Sequence, residues 1–457
     1  MRSTRWMGRL LVLVVAVAFL AACQTADSGR GGGPGPAPAP GGEGPTTAPT
    51  ATDAAPAPTL TATEPAPTPV EVASPTVASS PAVAPSPEPT ETAPAPTATA
   101  APTTAPTAAP AADVEPQVEV VATGLEVPWA MAWAPDGRLF VTERPGRVRL
   151  VVDGQLQDEP VAEIPVAAVG EGGLMGLALD PDFADNGYVY TMYTYSEGAG
   201  LANRISRWEL RDGRLQDEFT LLEGIPGARN HNGGRIAFGP DNKLYATTGD
   251  AGRGALAQDL ESLAGKILRL NPDGSVPDDN PFEGSFVYSY GHRNPQGLAW
   301  RETGQLLAPE HGPSGEGGLC CRDEVNVIRP GANYGWPVVT GRGDERFADP
   351  LAFSGTNNTW APSGAAVYDG SDLPAWRGDL LFGALRGQHL HRLVLEGEDE
   401  VALAEEEELF AGEFGRLRAV AMGPDGRLYV ATSNRDGRGR PAADDDRILR
   451  VVAAPSP

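Results

Sequence analysis

From residue 113 onward the apolar positions fall in short β-branched and aromatic runs, each entered through a turn containing Pro, Asp or Gly. Runs of that kind suit half-buried strands, and the turn residues supply the backbone angles that reverse the chain. The pattern occurs as Pro135-Asp-Gly-Arg-Leu-Phe-Val-Thr, at Pro181 with Asn186-Gly-Tyr-Val-Tyr following, and as Pro240-Asp-Asn-Lys-Leu-Tyr-Ala-Thr. It returns as Thr303-Gly-Gln-Leu-Leu-Ala, Gly378-Asp-Leu-Leu-Phe-Gly and Pro424-Asp-Gly-Arg-Leu-Tyr-Val-Ala. Copies lie roughly 45 to 75 residues apart, each preceded by another apolar run, with no long 3.6-residue periodicity between them. Six hairpin-bearing units predict an all-β fold, a six-bladed β-propeller of four-stranded antiparallel blades. Runs such as Lys266-Ile-Leu-Arg-Leu and Arg447-Ile-Leu-Arg-Val provide further strands.

Pairing each hairpin about its turn shows which polar residues share an end. Arg235–Phe238 against Leu244–Thr248 brings His231 opposite Asp250. Gly297–Trp300 against Gln305–Ala308 sets Arg293 and Asn294 beside His311 and Gly312. Arg416 and Arg418 precede the strand that faces Leu428–Thr432, Glu171 leads into the second hairpin, and Arg386 follows the fifth. All lie opposite the turns, and a propeller gathers equivalent ends around one mouth of its channel. One His, several Arg and a few carboxylates at such a mouth suit a small anionic ligand and acid–base chemistry.

His231 stands in the polar, Gly-bearing loop Arg229-Asn-His-Asn-Gly-Gly-Arg and is the candidate general base. A carboxylate at Asp250 would fix its tautomer and stabilise its protonated form. Any one of Arg293, Arg386, Arg416 and Arg418 alone would read as a salt-bridge partner; four at one mouth point to anion binding. Glu324, Tyr334, Gly312 and Pro313 offer the hard oxygen donors calcium takes. Cys320 and Cys321 are adjacent, and either a loop-stiffening vicinal disulfide or a pair of thiols is open to them.

Composition divides the rest of the chain. Arg2, Arg5 and Arg9 precede an apolar run from Leu10 to Ala22, too short to span a bilayer, which needs about 20 residues. The run ends in Leu20-Ala21-Ala22-Cys23, which resembles a bacterial lipobox. The expectation is a lipoprotein signal peptide over 1–22, lipidation of Cys23, and an exported, extracytoplasmic protein touching the membrane through its lipid. Residues 24–112 hold 21 of the 45 Pro, one Leu and no Phe, Trp or Tyr. With so little apolar surface to bury, 23–112 is expected to be a disordered, semi-stiff Pro/Ala/Thr-rich tether to the propeller at 113–457. The formal charge of −25 excludes a nucleic-acid partner, which would require a basic face. A nicotinamide-binding Gly-x-Gly-x-x-Gly turn and a Gly-x-Ser-x-Gly elbow are both missing.

The motifs Gly170-Glu-Gly-Gly-Leu-Met-Gly, His231-Asn-Gly-Gly-Arg, Thr248-Gly-Asp and Gly265-Lys-Ile-Leu-Arg-Leu-Asn-Pro-Asp-Gly come in that order. Gly291-His-Arg-Asn-Pro-Gln-Gly, Glu310-His-Gly-Pro, Asp323-Glu-Val-Asn, Asn333-Tyr-Gly-Trp-Pro and Arg416-Leu-Arg follow. Together they resemble the soluble quinoprotein glucose dehydrogenase family, also called glucose/sorbosone or aldose sugar dehydrogenases, over 120–452. The resemblance implies pyrroloquinoline quinone and calcium as cofactors, an aldose as substrate and oxidation at C1 to the lactone. It assigns proton removal to His231, its partnership to Asp250, and quinone contacts to Arg293, Asn294, Arg416 and Arg418. Gly312 and Pro313 match carbonyl ligands of the cofactor calcium, and Glu324 with Tyr334 a further calcium site. Three positions depart from the glucose-oxidising members: Glu171 replaces a Gln near the cofactor, Arg386 a Lys, and Asn230 an Asp. The electron acceptor is not implied. The competing expectations are a non-catalytic envelope propeller that binds glycan or protein, and a metal-dependent sugar lactonase.

Overall fold

The structure is a computed structural model that describes residues 114–315 and 318–455. The expected signal peptide, Cys23 and the tether lie outside the described residues.

Six sheets form the molecule, each built on a four-strand antiparallel ladder. In the first blade the strands are Pro128–Trp133, Leu139–Glu143, Arg147–Val152 and Gln155–Leu156, with Ala162–Glu163 added beside the third. The second contains Leu174–Leu179, Tyr188–Glu197, Gly200–Arg211 and Arg214–Gly227. The third contains Ile236–Phe238, Leu244–Thr248, Lys266–Leu270 and Val287–Tyr290, and the fourth Ala299–Trp300, Leu306–Glu310, Glu324–Ile328 and Ala352–Phe353. The fifth contains Pro362–Val367, Leu380–Ala384, His389–Glu396 and Ala402–Leu409. Leu417–Met422, Leu428–Thr432 and Ile448–Ala453 make three strands of the sixth, and the N-terminal Pro116–Ala122 supplies the fourth. Val118 pairs with Val451 there, so the two ends of the described chain close the ring.

First strands of neighbouring blades face one another around the ring, except between the third and fourth blades, where both are short. In every blade but the second, the second strand is buried along its whole length, because apolar residues cover both faces between adjacent blades. Trp129, Tyr190, Phe140 and Met192 are among the largest fully buried side chains and join the first three blades in one core. Each such side chain contributes roughly 2–3 kcal/mol through removal from water. Helix is confined to Phe183–Asn186 and two short 3₁₀ turns among the described residues.

The hairpin registers that position the polar loops are close to those expected. Ile236 faces Ala246 and Phe238 faces Leu244; Leu417 faces Thr432 and Met422 faces Leu428. In the fourth blade the ladder is shorter than expected, with only Ala299 against Leu307 and Trp300 against Leu306, and a lone bridge from Pro295 to Glu310. The Pro at 295 has no N–H to donate, which limits the ladder on that side.

Candidate functional site

The loops that enter the innermost strands bring their polar residues to one mouth of the ring. Glu171 precedes Leu174, His231 precedes Ile236, Arg293 precedes Ala299, and Arg416 and Arg418 flank Leu417. With Arg386 they line one cavity of about 330 Å³, together with His311, Asp323 and Arg438. Five guanidinium groups and two carboxylates line it, so its wall is cationic although the whole chain is strongly acidic.

His231 and Asp250 form the acid–base pair. Nδ1 of His231 lies 2.7 Å from Oδ1 of Asp250, and Asp250 Oδ2 accepts a 2.7 Å bond from Trp336 Nε1. The Gly252 amide donates to the same carboxylate at 2.7 Å. Two donors besides the imidazole therefore lock the carboxylate, which in turn selects the Nδ1–H tautomer and leaves Nε2 as the basic nitrogen. His231 holds a left-handed backbone with φ of 59°, which its N–H bond to Glu171 Oε2 at 3.1 Å helps to keep. Gly249 explains the Thr-Gly-Asp spacing: a Cβ there would sit 2.0 Å from the His231 carbonyl oxygen.

The arginines are held before any ligand arrives. Arg293 donates from Nη1 to the His311 carbonyl at 3.2 Å, and its guanidinium lies over the Trp336 ring at 5.5 Å. Arg416 Nε donates to Asp436 Oδ2 at 2.8 Å and Nη1 to the Leu385 carbonyl at 3.0 Å. Arg418 donates to Ser433 Oγ at 3.0 Å and makes a longer contact to the same Asp436 oxygen. Burial lowers the pKa of Arg418 to about 10, so it stays a cation at neutral pH. Arg386 is exposed at the rim.

Glu171 is countered by a residue from the opposite end of the chain. Arg438 Nη1 donates to Glu171 Oε1 at 2.8 Å. Burial opposes ionisation of Glu171, but the field of His311, the bond and charge of Arg438 and the His231 amide outweigh it and hold the pKa at about 2. Burial pushes His311 down to about 4, so at neutral pH that imidazole is uncharged and Arg438 is the effective counter-ion. His311 Nε2 and Asn294 Nδ2 are buried without a hydrogen-bond partner among the described residues. A buried unpaired polar atom is costly, and two of them in adjoining loops mark a place for a polar ligand.

The oxygen donors form a second group beside the cavity. Gly312 gives its N–H to Asp323 Oδ1 at 2.9 Å, and Pro313 takes the Cys321 N–H at 3.3 Å. Cys320 and Cys321 are disulfide-bonded, and a Cβ on Gly312 would meet the Cys321 carbonyl oxygen at 2.1 Å. Glu324 is buried, and burial together with neighbouring Glu310 raises its pKa to about 8. Tyr334 donates its hydroxyl to the Val327 carbonyl at 2.6 Å, which leaves its own backbone carbonyl as the oxygen it can offer. Gly312, Pro313, Glu324 and Tyr334 line a common void.

Arg438, Asp436, His311, Asp323 and the Trp336 indole were not assigned roles from the sequence. His311, Asp323 and Trp336 lie within motifs that were legible there. Asp436 and Arg438 belong to a polar stretch after the sixth hairpin, where no periodicity marks them.

A six-bladed propeller with a cationic mouth and a carboxylate-oriented histidine is suited to binding a small anionic molecule and to moving a proton beside it. The chain belongs to the family described as Glucose / Sorbosone dehydrogenase, whose sequence profile matches residues 125–449. It is 34% identical to the aldose sugar dehydrogenase YliI of Escherichia coli, over 70% of this chain and 91% of that protein. It is 50% identical to a solved oxidoreductase of Thermus thermophilus described as a glucose dehydrogenase, with a TM-score of 0.69, 74% of this chain covered and 100% of that one. The PQQ-bound aldose sugar dehydrogenase of Streptomyces coelicolor is 41% identical, with a TM-score of 0.67, 76% of this chain covered and 100% of that one.

Proposed function

We propose that the protein is a calcium- and pyrroloquinoline-quinone-dependent dehydrogenase that oxidises an aldose at C1 to its lactone and passes the electrons to a separate acceptor. The observation that carries this reading is the His231–Asp250 pair facing a cluster of guanidinium groups in one cavity. Export and anchoring through Cys23 belong to the same proposal.

The residues present fit a triacid quinone. The cationic wall supplies charge, and Arg416 and Arg418 are suited to carboxylates, with Asp436 setting the attitude of both guanidinium planes. Asn294 Nδ2 and Arg293 supply donors for a quinone oxygen. The Gln-to-Glu departure at 171 adds an anion, but Arg438 neutralises it. Backbone oxygens at Gly312 and Pro313 suit the cofactor calcium, and Glu324 with the Tyr334 carbonyl a second one. When bound, pyrroloquinoline quinone would supply the two-electron oxidising capacity as a hydride acceptor.

The chain's own part is binding, orientation and proton handling. His231 Nε2 takes the proton from the C1 hydroxyl, because Nδ1 is committed to Asp250. Asp250, pinned by Trp336 and Gly252, stabilises the imidazolium that results. Asn230 and Arg386 line the same cavity and are placed to touch a sugar. Replacing His231 with Ala is expected to reduce turnover by roughly 10²–10⁴ while quinone affinity holds. Unchanged turnover with bound quinone would remove His231 from the mechanism.

A further inference from the structure

The fifth blade contains a group of side chains far in role from the charged mouth. His389 and His391 lie on one face of the strand His389–Glu396, two residues apart. Across the ladder, Glu408 stands opposite His391, and Glu406 stands opposite Leu393 on that same face. Both histidines are buried, at 2% exposure, whereas the Glu408 side chain is 49% exposed. His391 stacks on Phe382 with ring centroids 4.8 Å apart and touches Trp360 at 4.7 Å, so its ring cannot turn freely.

The two imidazoles face each other, with His389 Nε2 lying 2.9 Å from His391 Nδ1. Their outer nitrogens meet acceptors. His391 Nε2 is buried, lies 3.5 Å from the Glu406 carboxylate and has no hydrogen-bond partner among the described residues. His389 Nδ1 lies 3.9 Å from the Glu408 carboxylate and next to Gly387. In the tautomers that turn both outer N–H groups toward these carboxylates, the inner nitrogens present lone pairs to one another. Such a pair needs a proton or a metal cation between them.

We infer that His389, His391 and Glu408 form a binding site for a zinc-like divalent transition metal. One donor atom from each lies within 4.8 Å of the other two. Two imidazole nitrogens and one carboxylate oxygen, with water in a fourth position, are a borderline-soft tetrahedral set that zinc favours and calcium does not. Glu406 stands outside the coordination sphere, 3.5 Å from His391 Nε2, and would take that N–H once the metal engages Nδ1, as carboxylates behind zinc-bound histidines do. The site joins the third and fourth strands of the blade near its outer edge, so its metal would brace the blade and take no part in sugar oxidation.

The test uses the full chain without a polyhistidine tag, oxidised at its disulfide and saturated with calcium. Zinc is titrated against a chromophoric chelator, and cobalt is titrated in parallel to read its visible absorption. One equivalent of zinc and a tetrahedral cobalt spectrum are expected. His389→Gln should weaken zinc binding on the order of 100-fold, and the more exposed Glu408→Gln about tenfold, with circular dichroism and thermal midpoint confirming that both variants fold. Absence of stoichiometric zinc, an octahedral cobalt spectrum, or wild-type zinc affinity in the folded variants would each overturn the site.

Discussion

His231 and His292 are built alike and placed differently. Each sets Nδ1 against a carboxylate, His231 at 2.7 Å from Asp250 and His292 at 3.1 Å from Glu310. His292 is fully buried, stacked on Tyr334 at 4.6 Å, and its Nε2 lies 2.9 Å from Ser289 Oγ, so both of its nitrogens are consumed by the fold. His231 lines the cavity and holds a left-handed backbone to do so. A histidine–carboxylate pair therefore does not make a base by itself. Whether the ring lines the cavity or is packed into the core decides whether the pair serves chemistry or packing.

The largest separation between the two comes from exchanging each for alanine. His231→Ala is expected to cost turnover by roughly 10²–10⁴ with a nearly unchanged urea midpoint. His292→Ala leaves the Glu310 carboxylate buried with one partner fewer and is expected to cost about 3 kcal/mol of stability by urea unfolding. The folded fraction of that variant should keep turning over. Loss of turnover in a fully folded His292→Ala protein would erase the distinction.

Gly312→Ala probes the oxygen-donor loop. The new Cβ collides with the Cys321 and Arg322 carbonyl oxygens, at 2.1 and 2.3 Å, so backbone must move. Strain of about 1–3 kcal/mol predicts roughly ten- to hundredfold weaker calcium-supported quinone binding, measured by quenching of tryptophan fluorescence. Wild-type affinity would show that the loop takes no part.

A smaller effect is expected at Glu171 and Arg438. Arg438→Ala leaves Glu171 uncompensated beside an anionic ligand and should weaken quinone binding about tenfold. Adding Glu171→Gln should restore most of that loss, and independent, additive effects would contradict the pairing. Acid stability supplies a sign. The Glu171 pKa falls on folding from 4.5 to about 2, so its contribution is present above about 4.5 and disappears as pH drops toward 2. In Arg438→Ala the difference between urea midpoints at neutral and acid pH should shrink.

The hairpins and their registers were legible because strand and turn signals are local. Turn chemistry at Pro135, Pro240 and Pro424 marks three second strands, and pairing about each turn carried His231 to Asp250. The closing strand Pro116–Ala122 was not legible, since its partner Ile448–Ala453 lies more than 300 residues away and no local pattern joins them. Distance along the chain hid Arg438 in the same way: its partner Glu171 is 267 positions off. The fifth-blade histidines sit in an ordinary strand pattern, and only the packing of Trp360 and Phe382 around them shows that their nitrogens are confined.

Reconstitution addresses the central claim most directly. The full chain is titrated with pyrroloquinoline quinone in calcium, and a panel of aldoses is then offered with an artificial electron acceptor. Saturable binding followed by aldose-dependent reduction of the acceptor, with lactone as product, is the predicted result. A folded protein that neither binds the quinone nor reduces the acceptor with any aldose would contradict it.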